Sequence, residues 1–185
     1  MNISELNDWL LSENQQPLII GILNVTPDSF TDGGKFLDSN TAVNHAMDMI
    51  ADGADIIDIG GESTRPFSDS VSEEEELSRV ISVIQKLREK TDTVISIDTT
   101  KSSVADNACN VGANLVNDIS ALSFDNSMID VINKHDCSVI LMHIAGNPKI
   151  MQENPSYDNI MSDIANHLLD RANFALKNGV KKHNI

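Results

Sequence analysis

Short apolar runs alternate with amphipathic segments along most of the chain. Leu18 to Leu23 is a continuous apolar run and reads as a first strand whose end is Asn24. Over Thr41 to Asp52, the residues Val43, Ala46, Met47 and Ile50 fall on one face at helical spacing, and Gly53 supplies a C-cap. Ala54 to Ile59 is a second strand. Ser72-Glu73-Glu74-Glu75 has a capping-box pattern ahead of the stripe Leu77, Val80, Ile81, Ile84 and Leu87. The Glu run there reads as capping plus a favourable helix dipole, not as a metal site. Thr93 to Ile97 is a third strand, followed by a short helix to Asn110 that stops at Gly112. A fourth strand runs from Leu115 to Ile119, a helix from Met128 to His135 and a fifth strand from Ser138 to Met142. A long helix over Tyr157 to Asn178 carries Ile160, Ile164, Leu168 and Ala175 along one side, and Gly179 closes it. Val180 to Ile185 reads as the approach to another strand.

This pattern is β-α repeated five times, which predicts a parallel α/β sheet with right-handed crossovers. Strands that read as unbroken apolar runs are those covered on both faces. No linker or low-complexity stretch interrupts residues 1–185, so they read as a single domain. Two architectures fit: an open doubly wound sheet, or the front of a (β/α)8 barrel, which typically needs about 250 residues. The second leaves sheet edges exposed.

The chain has 185 residues, 13 Lys and Arg against 28 Asp and Glu, and a formal charge of −15. That balance argues against a nucleic-acid partner or an anionic membrane surface. A phosphorylated small molecule stays compatible, because a few local donors hold one phosphate. The N-terminal stretch lacks a basic segment and a long apolar run, so it does not read as a signal peptide. Cys109 and Cys137 belong to no ligand cluster and read as reduced thiols in a cytoplasm.

In a parallel sheet the carboxyl ends of the strands form the site, and here they are polar. The ends carry Asn24, then Glu62, Thr64 and Arg65, then Asp98 and Lys101, then Asn117 and Asp118, then His143. Lys101 reads as a solvated charge or a helix-start group. Asp98 directly follows the apolar run Val94 to Ile97, and a carboxylate in that position needs a partner. It either caps the next helix or, beside Asn117, recognises the edge of a heteroaromatic ring with adjacent N–H donors. The residues themselves leave both open.

Five segments in this order, GILNVTPDSFTDGG, GGESTRP, SIDTTK, NDIS and LMHIAGNPKIMQ, strongly resemble bacterial dihydropteroate synthases. The resemblance runs from about Leu18 to Ile185. It implies a (β/α)8 TIM barrel, here about five β-α units of it. It also implies condensation of 6-hydroxymethyl-7,8-dihydropterin diphosphate with p-aminobenzoate to 7,8-dihydropteroate and pyrophosphate. On the matching positions it implies a pterin pocket lined by Asp98, Asn117, Ile119 and Met142. Asn24 would help hold Mg²⁺ and the diphosphate, and Thr64 would touch the diphosphate. Arg65 and Pro66 would lie near the p-aminobenzoate site, with Phe30 walling its ring and Asp32 close to the reacting centre. The expected catalytic set is Asp98, Asn117, Asp32 and Arg65.

Two departures accompany the resemblance. Phe67 stands where the family usually has Gly, and the family's later DPGIGFGK-type, SRK and R-x-H motifs are not in these residues. A pterin-binding fragment with weak activity or none is therefore expected for the isolated chain, and the family's homodimer is in doubt for it. A methyltetrahydrofolate-type pterin methyltransferase domain is the nearest enzymatic rival, against which the TPDSF and ESTRP loops speak.

Overall fold

The computed structural model describes residues 1–26, 39–63, 70–146, 151 and 155–185. Five strands, β1 (Ile20–Asn24), β2 (Ile56–Gly60), β3 (Val94–Asp98), β4 (Leu115–Asp118) and β5 (Ser138–Leu141), form one parallel sheet in the order β1-β2-β3-β4-β5. Helices α2 (Ser39–Ala51), α3 (Glu73–Arg88), α4 (Ser102–Asn110) and α5 (Met128–His135) connect them. Each of these helices packs on the next. A doubly wound sheet reverses its strand order at a switch point. This one never reverses, so its helices line one face, as in the wall of a barrel. α6 (Ile160–Lys177) follows β5.

Alternation along the strands divides the residues between two faces. Leu23, Ile57, Ile59, Ile95, Ile97, Val116 and Val139 pack with Val43, Val80, Ile84, Leu87, Val104 and Ile132 of the helices in the main core. On the opposite, inner face, Ile56, Val94 and Leu115 form a second cluster with Leu6. That leucine belongs to α1 (Ile3–Leu11), a helix that the hydrophobic pattern did not suggest. Its signal was the Asn2–Glu5 capping box. The Glu5 amide donates to Asn2 Oδ1 at 3.0 Å, and the Asn2 amide donates to Glu5 Oε2 at 2.8 Å. The Val94 amide donates to the Met1 carbonyl, so α1 closes the amino-terminal end of the inner face.

An apolar cavity of about 510 Å³ lies beside α1, walled by Trp9, Leu10, Ile20, Ile140 and Leu168 among others. β1 and β5 are the sheet edges, and Ile20 and Ile22 on β1 are exposed, as the open-barrel reading expects.

Two sequence expectations need correction. The last residues form a short 3₁₀ turn (Lys182–Asn184) instead of entering a strand. Asn184 turns inward and its side-chain amide donates to Asp136 Oδ1. In α3, Ser72 accepts from the Glu75 amide as a cap should, but the Glu75 carboxylate pairs with Arg79. No described helix is long and apolar enough to cross a membrane.

Candidate functional site

Strand register brings the sequence-predicted residues into one row. Asn24 pairs with Gly60, Gly60 with Asp98 and Asp98 with Asn117. A β-carbon built on Gly60 would lie 3.5 Å from Asp98 Oδ2 and 3.8 Å from Asn24 Oδ1, so the bare glycine keeps these two polar groups close together. Asp98 does not cap the next helix. The N-cap position of α4 belongs to Lys101, without a side-chain capping bond. The Ser102 amide, in its first turn, is taken by Asp125.

One row below lies Asp58, which sequence reasoning missed. It is buried on the same face, and Asn117 Nδ2 donates to its Oδ2 at 3.0 Å, across β3. The signal was available: a carboxylate between Ile57 and Ile59, two residues before the strand end. Asp58 Oδ1 and Asp98 Oδ1 are both buried with no hydrogen-bond partner among the described residues. Such orphaned acceptors are rare in folded proteins and point to a missing donor.

Burial raises the Asp98 pKa to about 7, and the negative charges of Asp58, Glu76, Asp118 and Glu62 add to the shift. Burial also raises the Asp58 pKa, with the Ser96 hydroxyl and then the Asn117 amide pulling the other way. The inner face is thus a desolvated, acceptor-rich surface in which the buried Ser96 hydroxyl, paired in register with Asp58, is also without a full hydrogen bond among the described residues, and it suits a ligand that brings several N–H donors on one edge.

Asp118 serves the backbone. Its carboxylate accepts from Ser120 N and Oγ and from Leu122 N. Those bonds hold a turn in which Ala121 and Leu122 take positive φ values of 51° and 64°. Ile119, inside that turn, is buried, whereas Met142, just past β5, is exposed. His143 stacks edge-on with His167, its ring centroid 4.9 Å away, and lies beside Tyr157. Lys101 is not solvated. It pairs with Glu62 and with the buried Glu76. Phe30, Asp32, Thr64, Arg65, Pro66 and Phe67 lie outside the described residues. Among the described residues no cluster of three or more His, Cys, Asp or Glu could hold a metal ion.

The chain is 48% identical over 171 residues to the dihydropteroate synthase of Clostridium beijerinckii, covering 92% of this chain and 61% of that protein. Its structure matches the Yersinia pestis dihydropteroate synthase, solved as a sulfonamide drug complex, with a TM-score of 0.84 and 42% identity, over 91% of this chain and 61% of that one. The Xanthomonas albilineans dihydropteroate synthase, solved with 4-aminobenzoic acid, matches with a TM-score of 0.84 and 39% identity, over 91% of this chain and 59% of that one. The chain therefore spans about three-fifths of the length of these relatives, and its sheet is a run of consecutive strands of the same barrel wall. Residues 20–185 match the family model described as pterin binding enzyme, and the chain belongs to that family.

Proposed function

We propose that this chain carries the pterin-binding part of a dihydropteroate synthase, a transferase that joins 6-hydroxymethyl-7,8-dihydropterin diphosphate to p-aminobenzoate and releases pyrophosphate. The observation that carries the reading is the pair of buried, unpartnered carboxylate oxygens on Asp58 and Asp98 beside the Asn117 amide. A pterin presents adjacent ring and exocyclic N–H donors on one edge, and these would satisfy both oxygens. The relatives bound to 4-aminobenzoic acid and to a sulfonamide drug support the second substrate.

The reaction breaks the bond between the exocyclic methylene carbon and the diphosphate oxygen, whose electron pair leaves with pyrophosphate. The amine nitrogen of p-aminobenzoate forms the new C–N bond and then loses a proton. An ionised Asp98 holds the ring and stabilises the positive charge that develops on it. Phe30, Asp32, Thr64, Arg65 and Pro66 enter this reading from the sequence, as the groups of two loops that cover the second substrate and the diphosphate and keep water out.

Asn24 is where Mg²⁺ would be held. Its side-chain oxygen lies 3.8 Å from a β-carbon built on Gly60, on the same strand-end row as Asp98. One neutral oxygen suits an ion that keeps several waters and binds mostly through substrate phosphates. When bound, the ion would neutralise charge on the leaving diphosphate. The cytoplasm, where a charged diphosphate substrate would be available, is the setting this reading implies.

The test is p-aminobenzoate-dependent pyrophosphate release by the chain with Mg²⁺ and the pterin diphosphate, run beside a pterin-binding titration. Turnover supports the full reading, and saturable pterin binding without turnover supports the pterin-binding part alone. Methyl transfer from methyltetrahydrofolate to a corrinoid, or no pterin binding at all, would overturn it.

A further inference from the structure

We infer that Glu76, Lys101 and Glu62 form a clamp that fixes the chain where it leaves β2, at Gly61 and Glu62. This rests on the proposed function only for which part of the substrate feels it. Glu76 lies on the buried face of α3 in register with Val80, Val83 and Leu87, and its side chain has no exposure. Lys101 Nζ donates to Glu76 Oε2 at 2.5 Å and to Glu62 Oε2. Glu76 Oε1 has no partner among the described residues, so Lys101 is what compensates this carboxylate. An apolar residue would fill such a site on a helix stripe at no loss of stability, and often with a gain. What the ion pairs add is direction. Lys101 sits three residues after Asp98 and reaches both α3 and the second residue beyond β2.

Independent contacts fix the same point. A β-carbon on Gly61 would lie 2.8 Å from Val80 Cγ1, 3.0 Å from Glu76 Cγ and 3.2 Å from the Glu76 carbonyl oxygen, so only glycine lets the chain pass this close to α3. Arg79 Nη1 donates to the Gly61 carbonyl, and Arg79 Nη2 pairs with Glu75. Residues 61 and 62 are thereby tied to α3 and α4 by packing, by a backbone bond and by charge, immediately before Ser63 and Thr64. Lys101 is accordingly a positioning residue. It holds the root of the segment that the proposed reading assigns to the diphosphate, and leaves the pterin-binding row to Asp58, Asp98 and Asn117.

Glu62→Ala removes the loop half of the clamp and leaves the buried Glu76–Lys101 pair intact, so the variant folds. In native-state hydrogen exchange, the fragment holding Gly61, Glu62 and Ser63 should exchange about tenfold faster, while β1, β4 and β5 keep their wild-type rates. Lys101→Met strips the buried Glu76 of its cation and should lower global stability as well as protection at 61–63, whereas Lys101→Arg, which keeps the charge, should stay near wild type. With 6-hydroxymethylpterin and its diphosphate as probes, Glu62→Ala should lose about tenfold of the preference for the diphosphate and leave the alcohol within about twofold. Unchanged exchange at 61–63, or an equal loss of both probes, would overturn the clamp. If neither probe binds the wild-type chain, the proposed function fails, and the exchange result alone decides the clamp.

Discussion

Replacing Asp98 by Asn should stabilise the empty protein and weaken its ligand binding. The carboxylate is pushed up to about 7 by burial and by the neighbouring charges of Asp58, Glu76, Asp118 and Glu62. The unfolded chain ionises near the ordinary value of about 3.9. Folding therefore favours the protonated acid. The penalty for ionising it is absent below about pH 4, grows as pH rises, and saturates above about 7. With those two values the penalty is about 1.5 kcal/mol at pH 5 and about 4 kcal/mol at pH 8, as upper figures. Asn keeps the shape and has no charge to ionise. Thermal unfolding followed by circular dichroism should show the variant more stable at pH 8, with Tm raised by roughly 5–15 °C, and the gain should shrink by more than half at pH 5. The reasoning is refuted if the variant is less stable at pH 8, or if its Tm difference does not change with pH.

Three further outcomes follow from the packing. Gly61→Ala should lower stability by about 1–3 kcal/mol in chemical denaturation, since the new methyl group meets Val80 and the backbone of Glu76 within 3.2 Å; a neutral result would show that α3 yields easily. Arg171 donates to the carbonyls of Ala121 and Leu122 and lies 4.3 Å over the Phe174 ring, so Arg171→Ala should cost about 1–3 kcal/mol by releasing the positive-φ turn held from the other side by Asp118; denaturant midpoints compared with wild type check it. Asn117→Leu removes the donor to Asp58, and pterin affinity should fall by about tenfold or more with the fold retained, as a fluorescence titration would measure.

The β-α rhythm was legible because each strand is an apolar run and each of helices α2 to α6 carries a one-sided stripe; strand and helix ends shifted by a few residues at most. α1 escaped because it is short and polar except for Leu6, Trp9 and Leu10, and only its capping box marked it. Asp98 and Asn117 were legible as strand-end polar residues, although capping and ligand recognition stood level for Asp98 until the register put it on the inner face. Asp58 and Glu76 were hidden for a common reason. Asp58 stands inside an apolar run and Glu76 at the end of a run of four glutamates, and what each pairs with lies 59 residues away in Asn117 for Asp58 and 25 away in Lys101 for Glu76. Lys101 was read as a solvated charge or a helix-start group; it does stand at the N-cap position of α4, but nothing near it in sequence shows that two carboxylates converge on its ammonium group. Hydrophobic periodicity left the barrel and the doubly wound sheet level; the resemblance chose the barrel, and the unreversed strand order agrees with it.

The most direct test of the central claim is a titration of the chain with 6-hydroxymethylpterin at pH 6 and pH 8, beside Asp98→Asn. A ligand that donates N–H groups to Asp98 selects its ionised form, so binding must displace the proton held there at low pH. With the carboxylate titrating near 7, the account predicts saturable one-to-one binding that is about tenfold tighter at pH 8 than at pH 6. In Asp98→Asn, binding should be much weaker and the pH dependence gone. Tight binding of equal strength at both pH values, or binding that survives intact in Asp98→Asn, would contradict the claim that this row of strand-end residues recognises the pterin ring.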